Sequence, residues 1–378
     1  MRVFTAARLL ACLALVGAVA ACGGGTPSPP RLAWQERTLP TPAGERAVLQ
    51  SATWCGDRWY VVGATADSRG ATVPAIWTST DTREWSRVPV HPGHDLYARQ
   101  AVLAAVACSR GRVAALGEKP GGAHGNPRVQ TWQQLPDGSL AAVTAPFEQY
   151  AGQDGISVNG LAGSATGFLL SGTRVSGAAV WSSRTGARFT LHDQAPGLAT
   201  TPAASTQAND AVPWAGSWTV VGDSVTSRLV GTAWTGSGQG PWTPTHLPGG
   251  THVTTADKVT LADTGPVVAG LDDSAFGIWS LSEGHWALAS TFGSVNQATT
   301  LPAFVSGLAW TGSRLVVTYA DGADYRLAVG TTSSLTEQPL PAPVGDRGDH
   351  DVSVAAHGSD LLLLTDDGHR GRLWLARA

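Results

Sequence analysis

Lysine is nearly missing from this 378-residue sequence, and charged residues as a group are scarce. Only Lys119 and Lys258 are lysines among the 25 basic residues, and the charged residues make up 14% of the chain. The net charge is −3 and no basic cluster is present, so the sequence lacks the positive field that a nucleic-acid backbone requires. We therefore expect no nucleic-acid partner.

Several catalytic and cofactor motifs are missing as well. Neither lysine follows a glycine, so there is no Gly-Lys-Ser/Thr phosphate loop, and no Gly-x-Gly-x-x-Gly follows a strand pattern. The sequence has no Cys-x-x-Cys, His-Glu-x-x-His or Gly-x-Ser-x-Gly motif. These absences argue against nucleotide binding and against redox, zinc-protease and α/β-hydrolase chemistry. We expect no cofactor.

The N-terminus has the pattern of an export signal. Arg2 and Arg8 precede or interrupt small and apolar residues, and the apolar stretch 9–19 is too short to span a bilayer comfortably. It runs into Val19-Ala20-Ala21-Cys22, which resembles a bacterial lipobox. That resemblance implies cleavage before Cys22 and acyl chains on its sulfur. The alternative is an ordinary secretory signal with a chance cysteine.

These features predict three segments: a lipoprotein signal peptide over 1–21, a Gly/Pro/Ser tether over 22–33, and a folded domain over 34–378. The predicted location is the extracytoplasmic face of the cell membrane, where acyl chains bury at about 0.8 kcal/mol per methylene. Cys12 would leave with the signal peptide, so Cys55 and Cys108 remain as a pair in an oxidising compartment. We predict a disulfide between them, and the alternative is two buried free thiols.

The folded domain is a repeat of about 50 residues. One series is an apolar residue that recurs at equivalent positions of the repeat and is tryptophan in six of seven copies: Trp77, Trp132, Trp181, Trp234, Trp279, Val329 and Trp374. A second series runs in phase with it, and each of its seven copies is a turn glycine followed by a short apolar run, beginning at 56, 111, 167, 216, 265, 312 and 358. This period is typical of four-stranded propeller blades.

The sequence therefore predicts an all-β fold, a seven-bladed β-propeller with four antiparallel strands per blade. The last copy supplies only three strands before the chain stops, whereas 34–40 resembles the outer strand 242–248. We expect the N-terminal strand to complete the last blade, because ring closure removes open sheet edges. The alternatives are a β-sandwich array and a ring of eight blades.

One segment resembles the Asp-box of sialidase-type (BNR) propellers. In 77–85, Ser79 and Asp81 lie between two tryptophans, while 181–189 and 279–286 keep the outline without the aspartate. The resemblance implies a structural turn between the third and fourth strands. The motif therefore predicts the fold and gives no information about catalysis. The early Arg-Ile-Pro segment of sialidases is missing from this sequence.

Long loops are predicted to gather on one face of the ring, where repeat insertions form binding surfaces. The candidate binding residues all lie in or beside such loops: His91, His94, Asp95, Arg99, Asp154, the Thr173–Arg174 pair, Asp272, Asp324, Arg326, Asp349, His350 and His369. The alternative is that polar residues simply populate long loops. Two loop clusters could in principle ligate metals, His91 with His94 and Asp95, and 346–351 with 366–367. We favour ordinary loop roles for both and expect no metal.

Three functions remain open. The favoured one is a lipid-anchored, monomeric binding or scaffold module that contacts an extracellular protein, peptide or glycan through the long-loop face. The second is a carbohydrate-active enzyme with paired acids at the central funnel, for which the available acids are Asp95, Glu148, Asp154, Asp272, Asp324 and Asp349. The third is an assembly role without a small ligand. Two facing acids would favour the enzyme, whereas an exposed aromatic patch would favour a partner.

Replacement of the lipobox cysteine tests the anchor. Cys22→Ala removes the sulfur that carries the acyl chains, so the protein should move from the membrane pellet to the soluble fraction. Cys12→Ala, within the signal peptide, serves as the control and should leave fractionation unchanged. Cys22→Ala protein that stays in the pellet would contradict a lipid anchor.

Overall fold

The computed structural model describes residues 31–121 and 127–378, and these form seven sheets arranged in a ring. Each sheet has a mainly antiparallel order from an inner to an outer strand, which confirms the predicted seven-bladed propeller with four antiparallel strands per blade. The predicted signal peptide, Cys22 and most of the tether lie outside the described residues. Within them, no helix is long and apolar enough to cross a membrane.

The strands follow chain order. The first, β1 (Gln35–Arg37), precedes blade 1, which consists of β2 (Arg46–Cys55), β3 (Arg58–Ala66), β4 (Thr72–Ser79) and β5 (Ser86–Arg87). Blade 2 consists of β6 (Val90–His91), β7 (Val102–Ser109), β8 (Arg112–Lys119), β9 (Arg128–Gln134) and β10 (Leu140–Ala142). Blade 3 consists of β11 (Gly155–Ser164), β12 (Gly167–Arg174), β13 (Gly177–Ser183) and β14 (Thr190–His192).

The remaining blades repeat the same order. Blade 4 consists of β15 (Ser205–Trp214), β16 (Ser217–Val225), β17 (Leu229–Gly236) and β18 (Trp242–His246), and blade 5 of β19 (Lys258–Ala262), β20 (Gly265–Asp272), β21 (Ala275–Ser282) and β22 (His285–Phe292). Blade 6 consists of β23 (Phe304–Trp310), β24 (Leu315–Ala320), β25 (Tyr325–Thr331) and β26 (Ser334–Gln338). Blade 7 contains β27 (Asp351–His357), β28 (Asp360–Asp366) and β29 (Gly371–Arg377).

The N-terminal strand closes the ring, as predicted. β1 pairs antiparallel with β29, and Gln35 lies opposite Leu375. Just before it, Leu32 is buried against residues of blades 6 and 7, and its amide donates to the side chain of Gln338. β1 and β29 thus share one sheet, and blade 7 has its outer strand.

Tryptophans of the repeat fill the core between blades. Trp77, Trp132, Trp181, Trp234 and Trp279 are all fully buried. In three of them the indole N–H also donates to a backbone carbonyl in the segment that precedes the blade: Trp77 to Pro40 (2.9 Å), Trp181 to Gln149 (2.8 Å) and Trp279 to Pro248 (2.6 Å). These three tryptophans therefore pack the core and also hold the connection that leads into their blade.

Glycines in the second strands allow the innermost strands to approach closely. A β-bulge interrupts the inner strand of five blades, with Gln50, Ala104, Asn159, Asn209 and Ser306 as the unpaired residues. Beside the bulge, a side chain on Gly63 would overlap the Val48 carbonyl, and one on Gly222 would overlap the Gln207 carbonyl. Glycine is needed here because the bulge pushes a carbonyl oxygen over it.

The disulfide and the Asp-box turn also match prediction. Cys55 and Cys108 are bonded, with a Cα–Cα distance of 5.3 Å, and they join the ends of β2 and β7 in neighbouring blades. Asp81 accepts hydrogen bonds from the amides of Arg83 (2.8 Å) and Glu84 (2.9 Å), while Trp85 is buried behind the turn. The turn is structural.

The segment between blades 1 and 2 is more ordered than the expected long loop. β6 adds a fifth, parallel strand outside β10, and α1 (Leu96–Arg99) follows it. Asp95 caps this short helix by accepting from the amides of Tyr97 (2.7 Å) and Ala98 (3.4 Å). Ala98 is fully buried, so one apolar residue anchors the turn against the ring.

Substitution of a second-strand glycine should destabilise the ring. Gly222→Ala places a methyl group on the Gln207 carbonyl, and overpacking of this kind costs about 1–3 kcal/mol of unfolding free energy. Gly345→Ala is the matched control, since its new methyl group would meet no atom closer than 3.9 Å. Urea denaturation of both variants measures the effect, and equal stabilities would contradict the close approach.

Candidate functional site

The long-loop face carries the loops between second and third strands and those between blades, and it contains three adjoining cavities. The largest of the three has a volume of 530 Å³ and lies where blade 2 meets blade 3. We call it the blade 2–3 groove and define it by Glu118, Arg128, Phe147, Tyr150, Ile156 and Asn159.

Apolar side chains on this groove are open to solvent. Phe147 is 51% exposed and Ile156 is 54% exposed, although both belong to residue types that are usually buried. Tyr97, 36% exposed, lines a second cavity of 320 Å³ on the other side of Arg128. Phe147 and Tyr97, with Ile156 beside them, form an exposed patch of aromatic and apolar side chains, which favours a partner surface.

Arg128 organises these aromatic rings. Its guanidinium carbon lies 4.1 Å from the Phe147 ring centroid and 5.4 Å from that of Tyr97. Cation–π attraction of this kind is worth about 0.5–1 kcal/mol at an exposed site. The Nε atom of Arg128 is buried without a hydrogen-bond partner among the described residues. Arg128 thus holds the wall in place and retains an unused donor.

Two further polar groups of the groove have raised pKa values. Burial raises the pKa of the Glu118 carboxyl. Burial also raises the pKa of Tyr150 to about 12, and its hydroxyl lies 3.2 Å from the Thr131 hydroxyl. Because both groups lie beside apolar residues, any hydrogen bond that they make to a ligand is protected from competing water.

A third cavity, 330 Å³, lies at the mouth of the central channel. We call it the axial site and define it by Asn159, Asn209, Asp257, Lys258, Phe304, Ser306 and Asp351. Asn159 belongs to both cavities, so the groove and the axial site are contiguous. The two form one elongated depression from the ring axis towards the rim between blades 2 and 3.

The repeat itself brings the axial residues together. Asn159, Asn209 and Asp257 each stand thirteen residues before the second-strand glycine of their own blade. Asn159 donates to the Ala208 carbonyl (2.8 Å) and Asn209 to the Ala256 carbonyl (3.1 Å), in each case across to the next blade.

The same relation holds further around the ring. The Asp257 carboxylate accepts from the Val305 amide (2.8 Å), and the Ser306 hydroxyl donates to the Val352 carbonyl (2.5 Å). From blade 7, Ser353 donates to the Gln50 carbonyl (2.7 Å). The inner strands are therefore linked by a belt of side-chain hydrogen bonds that ends at the channel mouth.

Carboxyl groups at the axial site titrate near neutrality. Burial raises the pKa of Asp257 and that of Asp351 to about 7, and the nearby Lys258 ammonium opposes both shifts. Burial likewise raises the pKa of Asp210. These side chains are surrounded by protein but remain partly accessible through the channel. A carboxyl with such a pKa can donate or accept a proton at neutral pH, and in its ionised form it attracts a cation.

Most of the predicted binding residues hold loops together. Asp272 accepts from the Gly250 amide (2.7 Å), and His350 Nδ1 lies 2.7 Å from the Gly345 carbonyl. Arg326 forms ion pairs with Asp321 (2.9 Å) and Asp324 (3.4 Å).

Two other predicted groups form local clusters. Arg174 is nearly buried and lies within ion-pair distance of Asp193 (3.3 Å) and Asp154 (3.9 Å), whereas its neighbour Thr173 is buried in β12. Arg46 of blade 1 pairs with Asp349 (3.7 Å) and Asp366 (3.2 Å) of blade 7, and His369 of blade 7 is exposed.

The predicted loop residues of blade 2 do not converge on the axial site. His91 lies on the outermost strand of the blade, while His94 and Arg99 are exposed on either side of the capping Asp95. Only Asp95 lines one of the cavities beside the groove. Across 31–121 and 127–378, no three His, Cys, Asp or Glu side chains come close enough to hold a metal ion.

Most residues that line the groove and the axial site were not predicted from sequence. Asp257, just before β19, was not a candidate, and Asp351, the first residue of β27, was considered only within the possible metal cluster 346–351. A regular signal was present, because a polar residue stands thirteen positions before the second-strand position in six of the seven blades. Phe147 and Ile156 carried no such periodic signal.

The raised carboxyl pKa values predict a stability that falls with pH. A carboxyl that is neutral in the fold but ionised in the unfolded chain stabilises at low pH, and this contribution is lost as pH rises from about 4 to about 7. Asp257→Asn removes the ionisation, so it should raise the free energy of unfolding at pH 8 by up to about 4 kcal/mol and have little effect at pH 4. Thermal unfolding across this pH range measures the difference.

Glu283→Gln provides the control for that experiment, because Glu283 lies exposed on a turn. Its variant should follow the wild-type pH profile. An Asp257→Asn profile parallel to wild type at every pH would show that Asp257 is already ionised in the fold.

Comparisons with known proteins support the fold. No protein-family model matches the sequence, and no curated protein matches it. Among solved structures, YCF48 from Cyanidioschyzon merolae is similar with a TM-score of 0.56 and 12% identity, covering 91% of this chain and 99% of that one. The Cps50 (Swd1) β-propeller domain of Myceliophteria thermophila gives 0.56 and 11%, covering 92% and 100%. The extracellular domain of a putative one-component system from B. thetaiotaomicron gives 0.54 and 11%, covering 91% and 40%. At these identities the likeness concerns the propeller fold alone.

Proposed function

We propose that this protein is a lipid-anchored, extracytoplasmic binding module that captures a protein, peptide or glycan with its long-loop face. The observation that carries the proposal is the blade 2–3 groove, where Phe147 and Ile156 remain about half exposed on a concave surface. Exposed apolar residues in a groove lose contact with water when a partner binds, and this gain favours association.

The shape of the depression supports an elongated ligand. The groove has a volume of 530 Å³, within the usual range for ligand sites, and it continues into the axial site through Asn159. Apolar contact is concentrated at the rim, and hydrogen-bonding and ionisable groups are concentrated at the axis. A chain-like ligand can satisfy both ends at once, whereas a small molecule would occupy only one.

The anchoring half of the proposal rests on the N-terminal sequence. A lipobox-like segment ending in Cys22 precedes a stretch rich in Gly, Pro and Ser. A tether of about ten residues has a random-coil reach on the order of 15–20 Å. The disulfide between Cys55 and Cys108 agrees with export, since disulfides persist in oxidising compartments.

A second candidate function is acid–base catalysis on a glycan at the axial site. It is favoured by one observation, that Asp257 and Asp351 have pKa values of about 7 and line the same cavity. An enzyme of this kind requires one protonated and one ionised carboxyl at working pH.

Ligand selection with the full-length protein tests the proposed function. A random peptide library and a glycan array are screened with wild type, and ligands are measured again with Phe147→Ala and Ile156→Ser. Loss of a central apolar contact typically costs more than 1 kcal/mol, so affinity should fall about tenfold. Val225→Ser, an exposed aliphatic residue outside the groove that is 45% exposed, is the matched control and should keep full affinity.

Other outcomes have clear meanings. Ligands that bind the control and the groove variants equally would overturn the assignment of the groove. Turnover of a bound glycan that disappears in Asp351→Asn would establish the second candidate in place of simple binding.

A further inference from the structure

A cleft on the opposite face of the ring carries three arginines. This short-turn face holds the tight turns between first and second strands and between third and fourth strands. The cleft has a volume of 590 Å³ and runs across the turns of blades 2, 3 and 4. We call it the arginine cleft and define it by Arg110, Thr166, Arg184, Arg188, Trp218 and Gln239.

The three arginines have no acidic partner. Among the described residues, no carboxylate lies within 4.0 Å of the Arg110, Arg184 or Arg188 guanidinium groups, and no Asp or Glu lines the cleft. Two other arginines of this face do have acidic partners: Arg58 pairs with Asp57 (2.9 Å) and Arg377 with Asp360 (3.1 Å).

Since guanidinium groups stay charged at all physiological pH values, the cleft holds three uncompensated positive charges. An anion bound there would remove their mutual repulsion.

The turns that carry these arginines are held in place. The Ser183 hydroxyl accepts from the amides of Thr185 (3.4 Å) and Gly186 (3.0 Å), and buried Phe189 closes the same turn, so Arg184 and Arg188 project from a fixed frame. Arg110 uses its Nε to donate to the Ala165 carbonyl. Its two terminal nitrogens remain available, which suits the two-pronged binding of a carboxylate or sulfate group.

We infer that the arginine cleft binds an acidic polysaccharide chain. Its volume far exceeds that of a single ion, and its length across three blades matches an extended polymer. Between the arginines, Thr166, Thr190 and Gln239 offer the hydroxyl and amide groups that pair with sugar hydroxyls. Three guanidinium groups without acidic partners line one cleft in a chain of net charge −3, so the local charge favours an anionic ligand there.

The site is distinct from the blade 2–3 groove because the two lie on opposite faces of the ring. Failure of one assignment leaves the other intact. Variants of the arginine cleft are therefore expected to keep the affinity for any ligand of the long-loop face.

Binding of defined polymers by the full-length protein tests this inference. Alginate supplies carboxylates, dextran sulfate supplies sulfates, and neutral dextran is the uncharged probe. Wild type should bind both acidic polymers, with an affinity that falls as salt rises, and should not bind neutral dextran. The double variant Arg184→Ala/Arg188→Ala should lose about tenfold in affinity, whereas Arg184→Lys/Arg188→Lys should recover only part of it, because lysine lacks the planar two-pronged donor.

The double variant Arg58→Ala/Arg377→Ala is the matched control. It removes the same charge from the same face outside the cleft, so it should change affinity less than twofold. Equal losses in both double variants would reduce the effect to net charge and overturn the site. Absence of binding to either acidic polymer would also overturn it, as would inorganic phosphate that binds as tightly as the polymers.

Discussion

The bulged inner strands are the constraint on which the ring depends. At three bulges the unpaired residue, Asn159, Asn209 or Ser306, donates a side-chain hydrogen bond to the backbone of the next blade. In blades 1, 3 and 4 the second strand has glycine at the facing position, Gly63, Gly172 and Gly222, which lets the bulged strand approach closely. A backbone irregularity within one sheet therefore becomes the link between sheets. Hydrophobic packing of the tryptophans fills the space between blades, while the belt sets how the blades meet at the axis.

The same constraint creates the chemistry at the channel mouth. Asn159, Asn209, Ser306 and Ser353 each donate to a backbone carbonyl of the next blade. At Asp257 the belt residue is a carboxyl, and Asp351 lies at the start of the inner strand two blades further on. Burial then raises their pKa values to about 7. Lys258, one of only two lysines in the chain, lies in the same cavity. The belt position that links neighbouring blades elsewhere in the ring thus carries an ionisable group at Asp257, where solvent and ligands have access.

Local repetition explains which features could be predicted from sequence. The spacing of Trp77, Trp132 and their equivalents predicts the blades because each of them fills the same inter-blade space. The resemblance of 34–40 to an outer strand predicts closure for a similar reason, and Cys55 and Cys108 occupy matching strand ends. The cavities were not predictable in this way, since they depend on side chains that meet only after the ring closes. Polar loop residues such as Asp95 and Asp272 matched the expected composition of a binding face. Their carboxylates instead accept hydrogen bonds from backbone amides of loop segments.

Closure by β1 has a consequence for the order in which the chain matures. During synthesis from the N-terminus, Gln35–Arg37 are made more than 330 residues before their partner strand β29. The covalent link between blades 1 and 2 needs only the first 108 residues and can form long before. The ring would then form blade by blade from the disulfide-linked blades 1 and 2, while β1 still lacks its partner strand. β1 is three residues long and carries Glu36 and Arg37. Short, charged edge strands pair poorly with wrong strands, so β1 is protected from mispairing until β29 has been made.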